Sequence, residues 1–152
     1  MNNMNSIFNT LGWDIDLPKS WKSNRLKWIS KIENSGIWGE EFQFKESISI
    51  SIPTTAQLTA DGKWLQNQMQ DRHITIDEWE KYKCITGDIV VVKSSGSSSN
   101  IITGKCGYID KDESENFSFS NFLLRVRPQK IANKFLYYFL CSNLTKQRIE
   151  KM

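Results

Sequence analysis

The segment Ser47-Ile-Ser-Ile-Ser-Ile-Pro53 alternates serine with isoleucine and then stops at a proline. Successive side chains of a β-strand point to opposite faces of a sheet, so this pattern predicts a short, half-buried strand that the proline ends. A second strand is predicted at Ile89-Val-Val-Val92, a β-branched run typical of a buried strand. The strands and helices of the chain do not alternate regularly, which favours an α+β domain over a doubly wound parallel sheet.

Helix signals complete this prediction. Thr75-Ile-Asp-Glu78 has the spacing of a capping box, and a short helix is expected from there to about Lys83. From Ala132 to Leu144 the apolar residues recur at helical spacing, which predicts a C-terminal amphipathic helix. The expected fold is one α+β domain with a twisted, mostly antiparallel sheet, short helices and that C-terminal helix.

Two further strand predictions are less regular. One strand is expected to start at Ile101-Ile102, after a polar loop. Another strand region is expected from Phe117 to Val126, with a slip of register near Asn121 and with Pro128 as its terminator.

Length and composition bound the class of protein. A chain of 152 residues with 39% hydrophobic residues can bury a single core. The apolar stretch from Phe135 to Cys141 is far shorter than the roughly 20 residues of a membrane-spanning helix. The first residues lack the features of a secretion signal, and three cysteines without a C-x-x-C spacing fit reduced thiols better than disulfides or zinc. We therefore expect a cytoplasmic location and no membrane partner.

Charge is distributed unevenly along the chain, although the net charge is only +3. Residues 17–32 carry five basic side chains and no acidic one, and residues 116–152 carry seven basic side chains against Glu150. Such segregation predicts either a surface that faces phosphates or a set of solvated faces. The basic residues of the first stretch are Lys19, Lys22, Arg25, Lys27 and Lys31.

Two polar loops are candidates for contact with a nucleic acid. The first is Ser94-Ser-Gly-Ser-Ser-Ser-Asn100, which lies between Lys93 and Lys105, and the second runs from Thr54 to Arg72 and is rich in glutamine. Hydroxyl, amide and basic side chains on loops can contact phosphates and base edges. A plain solvated connection remains the alternative for each loop.

The sequence matches known catalytic motifs poorly. A phosphate loop needs four residues between its glycines and a Ser or Thr after its lysine, whereas seven residues separate Gly96 from Gly104 and Cys106 follows Lys105. A single histidine, His73, leaves no obvious base for a nucleophile. Asp61-Gly-Lys63 could belong to a metal-dependent nuclease, but the same residues suit a turn. We predict no catalytic residue, no metal site and no cofactor.

Several segments, taken in order, resemble the target recognition domain of the DNA specificity subunit of type I restriction-modification systems. They span about Leu17 to Leu144, and none is diagnostic by itself. The segments are Leu17–Trp21, Gly36–Glu40, Arg72–Glu78, Gly87–Lys93, Ser95-Gly96, Gly104-Lys105, Ser120–Pro128 and Phe135–Leu140.

The resemblance implies a non-catalytic domain that reads one half of a split double-stranded DNA target. Modification and restriction subunits would then be the partners that methylate and cleave the DNA. On this interpretation, residues 1–16 form an N-terminal arm, 17–144 the recognition domain, and 145–152 the start of a truncated helical spacer. The expected DNA-binding residues are Lys22, Arg25, Gln68, Arg72, Lys93, Ser94, Ser95, Gly96, Ser97, Ser98, Ser99, Asn100 and Lys105.

The chain departs from the family in one respect, because a full specificity subunit has two recognition domains separated by long helical spacers. The alternative function is a non-catalytic scaffold that binds protein through the helix face from Phe135 to Leu144.

Overall fold

The computed structural model describes residues 18–93 and 102–150 of the chain. These residues form α-helices and strands in an irregular order, so the predicted α+β class is confirmed. The α-helices are α1 (Leu26–Ile29), α2 (Ile76–Tyr82), α3 (Asn133–Cys141) and α4 (Asn143–Glu150). The strands are β1 (Ser30–Glu33), β2 (Ser47–Ser51), β3 (Asp71–Thr75), β4 (Ile89–Val92), β5 (Cys106–Tyr108) and β6 (Leu123–Pro128). Short 3-10 helices lie at Thr55–Gln57, Gln66–Gln68 and Glu113–Glu115.

The strands form two sheets, and every strand pair is antiparallel, as the sequence predicts. The larger sheet has the order β1-β6-β4-β5. Its first strand therefore pairs with its last, with Ser30 opposite Pro128. The smaller sheet contains β2 and β3, with Ile50 opposite Arg72.

Strand β4 is apolar throughout because the larger sheet is covered on both faces. On one face Val90 and Val92 pack with Phe117 and Phe119 in the main core cluster. On the other face Ile89 packs beneath α3 in a second cluster. A strand with two buried faces cannot alternate apolar with polar residues, which accounts for the run of four β-branched residues.

The predicted turn at Asp61-Gly62 and the return of the chain at Trp64 are both present. Gly62 has a φ of 82°, in the left-handed region that glycine adopts without strain. The Trp64 indole packs against the main core and donates from Nε1 to the Tyr108 carbonyl at 3.0 Å. It lies directly against Gly107, where an added Cβ would come within 2.4 Å of the indole ring. The excursion between β2 and β3 is thereby fixed to β5.

The smaller sheet and α2 form as the sequence predicts. Ile50 and Ile74 are buried in a third cluster, where Trp79 of α2 packs against them. At the start of α2 the capping box is complete: the Thr75 hydroxyl accepts from the Glu78 amide at 3.2 Å, and the Glu78 carboxylate accepts from the Thr75 amide at 2.8 Å. Both bonds satisfy amides that a helix start leaves without partners.

The prediction of one continuous C-terminal helix is wrong in detail, because the helix breaks at Ser142. The Ser142 backbone is extended, with φ −65° and ψ 153°, and its hydroxyl donates to the Phe139 carbonyl at 2.7 Å. The same hydroxyl accepts from the Thr145 amide at 3.4 Å, so that it caps the start of α4. The domain boundary expected at residue 144 lies inside α4.

Two strand predictions are also corrected. Of the strand start expected at Ile101-Ile102, Ile101 lies outside the described residues. Residues 102–105 form a turn, with Gly104 at a φ of 80°, and β5 starts only at Cys106. Phe117 lies outside the larger sheet and makes a single bridge to Ser51, because the chain turns at residues 121–122 before β6 begins. This turn is the register slip that the sequence predicts near Asn121.

Candidate nucleic-acid interface

The basic stretch near the start of the described chain is held in place by its apolar residues. Leu26 packs against the cluster beneath α3, and the Trp21 ring meets Phe135 of α3 edge-on at 5.8 Å between centroids. The Ile29 carbonyl accepts from the amides of Gln129 and Lys130 at 2.9 and 3.1 Å. These contacts fix residues 18–31 against the C-terminal part of the domain.

The cations of this stretch remain exposed. Lys22 and Arg25, both expected to contact DNA, have exposed side chains, and so do their neighbours Lys19, Lys27 and Lys31. Lys130, which the backbone bonds place beside Ile29, adds a sixth exposed cation. Among the described residues, no carboxylate forms an ion pair with any of these six side chains.

Two tryptophans lie exposed between these cations. Trp21 and Trp28 are 50% and 58% exposed, and the Arg25 guanidinium lies 5.3 Å from the centre of the Trp28 ring. An indole face can stack on a base or a sugar, while neighbouring ammonium and guanidinium groups attract phosphates. We call residues 18–31 together with Lys130 the basic–aromatic segment.

The expected base-reading loop, Ser94 to Asn100, lies outside the described residues, but the lysines on either side of it do not. Lys93 follows β4 and donates from its ammonium to the Asn34 carbonyl at 2.7 Å. The half-buried Lys105 donates to the Leu58 carbonyl, and burial lowers the pKa of its ammonium. Both lysines are half-buried and each is bonded to a backbone carbonyl, but the Lys93 bond is exposed to solvent. The Lys105 bond is partly buried and joins the turn before β5 to the excursion between β2 and β3.

An exposed aromatic pair lies next to Lys93. The Lys93 amide donates to the Phe122 carbonyl at 3.1 Å, and the Phe122 ring meets Trp38 edge-on at 5.5 Å. Both rings are at least 40% exposed. The signal that could have identified this pair is the glycine on each side of Trp38. At Gly36 an added Cβ would lie 2.1 Å from the Phe119 carbonyl. Glycine therefore allows the chain to pass close to the Phe119 backbone just before Trp38.

The remaining expected contacts, Arg72 and Gln68, lie apart from the larger sheet. Arg72 belongs to β3, where it forms an ion pair with Glu41 at 2.9 Å and donates to the Gln70 side chain at 3.1 Å. Gln68 is exposed in the second 3-10 helix. The Arg72 charge is balanced locally, which makes it a weaker attractor of phosphate than the cations of the basic–aromatic segment.

Of the residues considered for catalysis, Asp61 and Lys63 belong to a turn at the surface. Asp61 pairs with Lys63 at 3.1 Å across the turn, and a hydrogen bond from the Thr59 hydroxyl at 2.5 Å lowers the pKa of the Asp61 carboxyl. The Nδ1 atom of His73 is buried without a partner within the described part of the chain. In residues 18–93 and 102–150, no three side chains of His, Cys, Asp or Glu are grouped to hold a metal ion.

Two cations of the C-terminal stretch are internal, which the sequence pattern did not reveal. Arg127 donates from Nε and from one terminal nitrogen to the two carboxylate oxygens of Asp88, each at 2.8 Å, and Asp88 is fully buried. Arg125 is also buried: it donates to the Lys83 carbonyl and lies 5.2 Å from the centre of the Phe119 ring. Two of the basic residues that follow Glu115 therefore bond acceptors in the core.

No model of a known protein family matches the chain, and no curated protein matches it in sequence. Within the described ranges, none of the helices is both long enough and apolar enough to cross a bilayer.

Proposed function

We propose that this chain is a cytoplasmic, sequence-reading DNA-binding domain of the kind found in specificity subunits of type I restriction-modification systems. The observation that carries the proposal is the basic–aromatic segment, in which six exposed cations without ion-pair partners among the described residues surround two exposed indoles. Local neutralisation removes the attraction of a cation for phosphate, and the described carboxylates do not supply it here.

The proposed division of labour follows the surroundings of each cation. Lys22, Arg25 and their neighbours contact phosphates and set the orientation of the duplex, because phosphate contacts position a protein without reading sequence. Lys93, at the entrance to the serine-rich loop, exchanges its solvent-exposed bond to the Asn34 carbonyl for a phosphate contact beside the exposed Trp38–Phe122 pair. Residues 97–100 approach the base edges, where hydroxyl and amide groups can discriminate between base pairs.

Lys105 has a different part in this proposal from the one that the sequence predicts. Its ammonium is bonded to the Leu58 carbonyl, and releasing it would leave that carbonyl without this donor. We therefore assign Lys105 to holding the turn before β5 against the excursion between β2 and β3. In this proposal the chain catalyses no reaction, and modification and restriction subunits supply methylation and cleavage.

The test is selection of bound DNA from a randomised duplex library at low salt, followed by sequencing. Enrichment of a short motif would support a sequence reader and would give its half-target directly. Retention without a motif would support phosphate contact and assign specificity to the assembled complex. A chain that retains no DNA even at low salt would overturn the proposal.

The scaffold function has its own supporting observation. Tyr138 of α3 and Leu144 of α4 are exposed, and Phe135 beside them is covered only in part by Trp21. A scaffold would bind protein through these side chains and would show negligible DNA affinity. Tyr138→Ala, which lies outside the basic–aromatic segment, should leave DNA retention unchanged if the DNA-binding proposal is correct.

A further inference from the structure

Cys106 of β5 and Cys141 of α3 both belong to the cluster beneath α3. Their neighbours show how the two elements align: the rings of Tyr108 and Tyr137 pack at 5.4 Å between centroids. Cys106 lies two residues from Tyr108 on the same face of the strand, and Cys141 lies four residues from Tyr137 on the same face of the helix. Cα atoms of α3 and β5 approach within 8 Å, so the two thiols lie beside the tyrosine pair.

The surroundings make the two thiols unequal. The Cys106 thiol donates to the Gly104 carbonyl at 3.1 Å. The neighbouring Cys106, with further help from the Tyr137 hydroxyl and the Lys146 ammonium, lowers the pKa of Cys141 to about 7 despite burial. The neighbouring Cys141 and burial both raise the pKa of Cys106. A thiolate is the nucleophile in thiol chemistry, and Cys141 is only half buried.

We propose that Cys106 and Cys141 form an oxidation site at which a hydroperoxide converts the two thiols into a disulfide between β5 and α3. In the first step the Cys141 sulfur attacks the peroxide oxygen, an alcohol or water leaves, and Cys141 becomes a sulfenic acid. In the second step the Cys106 sulfur attacks the Cys141 sulfur, the S–O bond breaks, and the oxygen leaves as water with the Cys106 proton. Two electrons pass from the thiol pair to one peroxide.

The test uses hydrogen peroxide on the purified chain, followed by alkylation of the remaining thiols and mass spectrometry. We expect a loss of about 2 Da, one cross-linked peptide pair containing Cys106 and Cys141, and reversal by dithiothreitol. The disulfide closes the chain between β5 and α3, and we expect it to raise Tm by about 5 °C or more.

Cys84 provides the matched control because it is a third thiol, fully buried, whose pKa is raised by burial. Cys84→Ser should form the same cross-link. Cys106→Ser should lack it and should accumulate a Cys141 sulfenic acid that dimedone traps. The proposal is overturned if wild type gives over-oxidised Cys141 without a cross-link, a disulfide to Cys84, or only disulfides between molecules. Circular dichroism of each variant separates failure to fold from failure to oxidise.

Discussion

Two stretches of this chain place cations close together, residues 18–31 and strand β6, and their side chains have opposite surroundings. In β6, Arg125 and Arg127 donate to carbonyls of the core and to the buried Asp88. In the basic–aromatic segment, Lys22 and Arg25 are exposed and form no ion pair among the described residues. A basic run in a sequence therefore indicates a polyanion partner only where no internal acceptor already holds its charges.

The largest effect should come from removing Asp88, the carboxylate that accepts hydrogen bonds from Arg127 of β6. Asp88→Ala leaves Arg127 partly buried without its counter-ion, and loss of one partner of a buried ion pair costs about 3 to 5 kcal/mol. The Asp88 carboxylate also accepts from the Ile85 amide at 2.9 Å, so that amide loses its partner as well. Urea denaturation should show this loss, while Asp112→Ala, which removes an exposed carboxylate, should unfold at the wild-type midpoint. Equal urea midpoints for the two variants would show that β6 does not depend on the Asp88 carboxylate. The contrast between β6 and the basic–aromatic segment would then fail.

The second prediction tests the exposed stretch. Replacing Lys22, Arg25 and Lys27 together with alanine should weaken DNA binding by roughly tenfold or more at low salt. The salt slope should fall by about 0.9 for each phosphate that the variant no longer neutralises. Folding should be unaffected because these side chains are exposed. Fluorescence anisotropy over a series of salt concentrations measures both quantities.

A matched control for this triple variant removes three exposed lysines elsewhere. Alanine at Lys45, Lys63 and Lys111 changes the net charge equally but spares the basic–aromatic segment. If both triple variants lose the same affinity, binding follows net charge alone, and the segment has no special role.

The third prediction distinguishes the roles of the two lysines that flank the serine-rich loop. Lys93→Ala should reduce the salt slope of DNA binding by about one unit. Lys105→Ala should leave that slope unchanged and lower the free energy of unfolding by about 1 kcal/mol, because the Leu58 carbonyl loses its donor. A reduced slope for Lys105→Ala would show that its ammonium leaves Leu58 to contact DNA, as the sequence alone predicts.

The smallest effect is expected at the exposed ion pair. Asp61→Ala removes the partner of Lys63 at the surface, where such pairs contribute little because solvent screens them. The variant should unfold with the wild-type midpoint, in contrast to Asp88→Ala. It also tests the nuclease alternative, since plasmid cleavage that requires a divalent metal and disappears in this variant would establish that activity.

Local signals in the sequence predicted most of the fold. The Ser–Ile alternation, the β-branched run and the capping box each depend on neighbouring residues, and each formed the expected element. The break at Ser142 was missed because the apolar spacing continues across it while one hydroxyl caps the next helix. The position of Phe117 was missed because its partner, Ser51, is distant in sequence.

The candidate site was less predictable for the same reason. Exposure of Lys22 and Arg25 agrees with their basic surroundings in the sequence. The acceptors of Lys105 and Arg127 lie 47 and 39 positions away, so nothing near those residues shows that their charges are occupied. Trp38 and Phe122 meet where Gly36 passes close to the backbone of residues 119 and 120, which are distant from it in sequence.

The order of strands in the larger sheet has a consequence for the synthesis of the protein. Ser30 finds its partner, Pro128, only after the whole stretch between them has been translated. Pairing between such distant residues must overcome a large loop-closure entropy, and it slows folding. The basic–aromatic segment is anchored to Phe135 and to the amides of residues 129 and 130, so it docks late on the growing chain. A nascent chain on the ribosome therefore exposes these cations beside ribosomal RNA before β1 and β6 have paired.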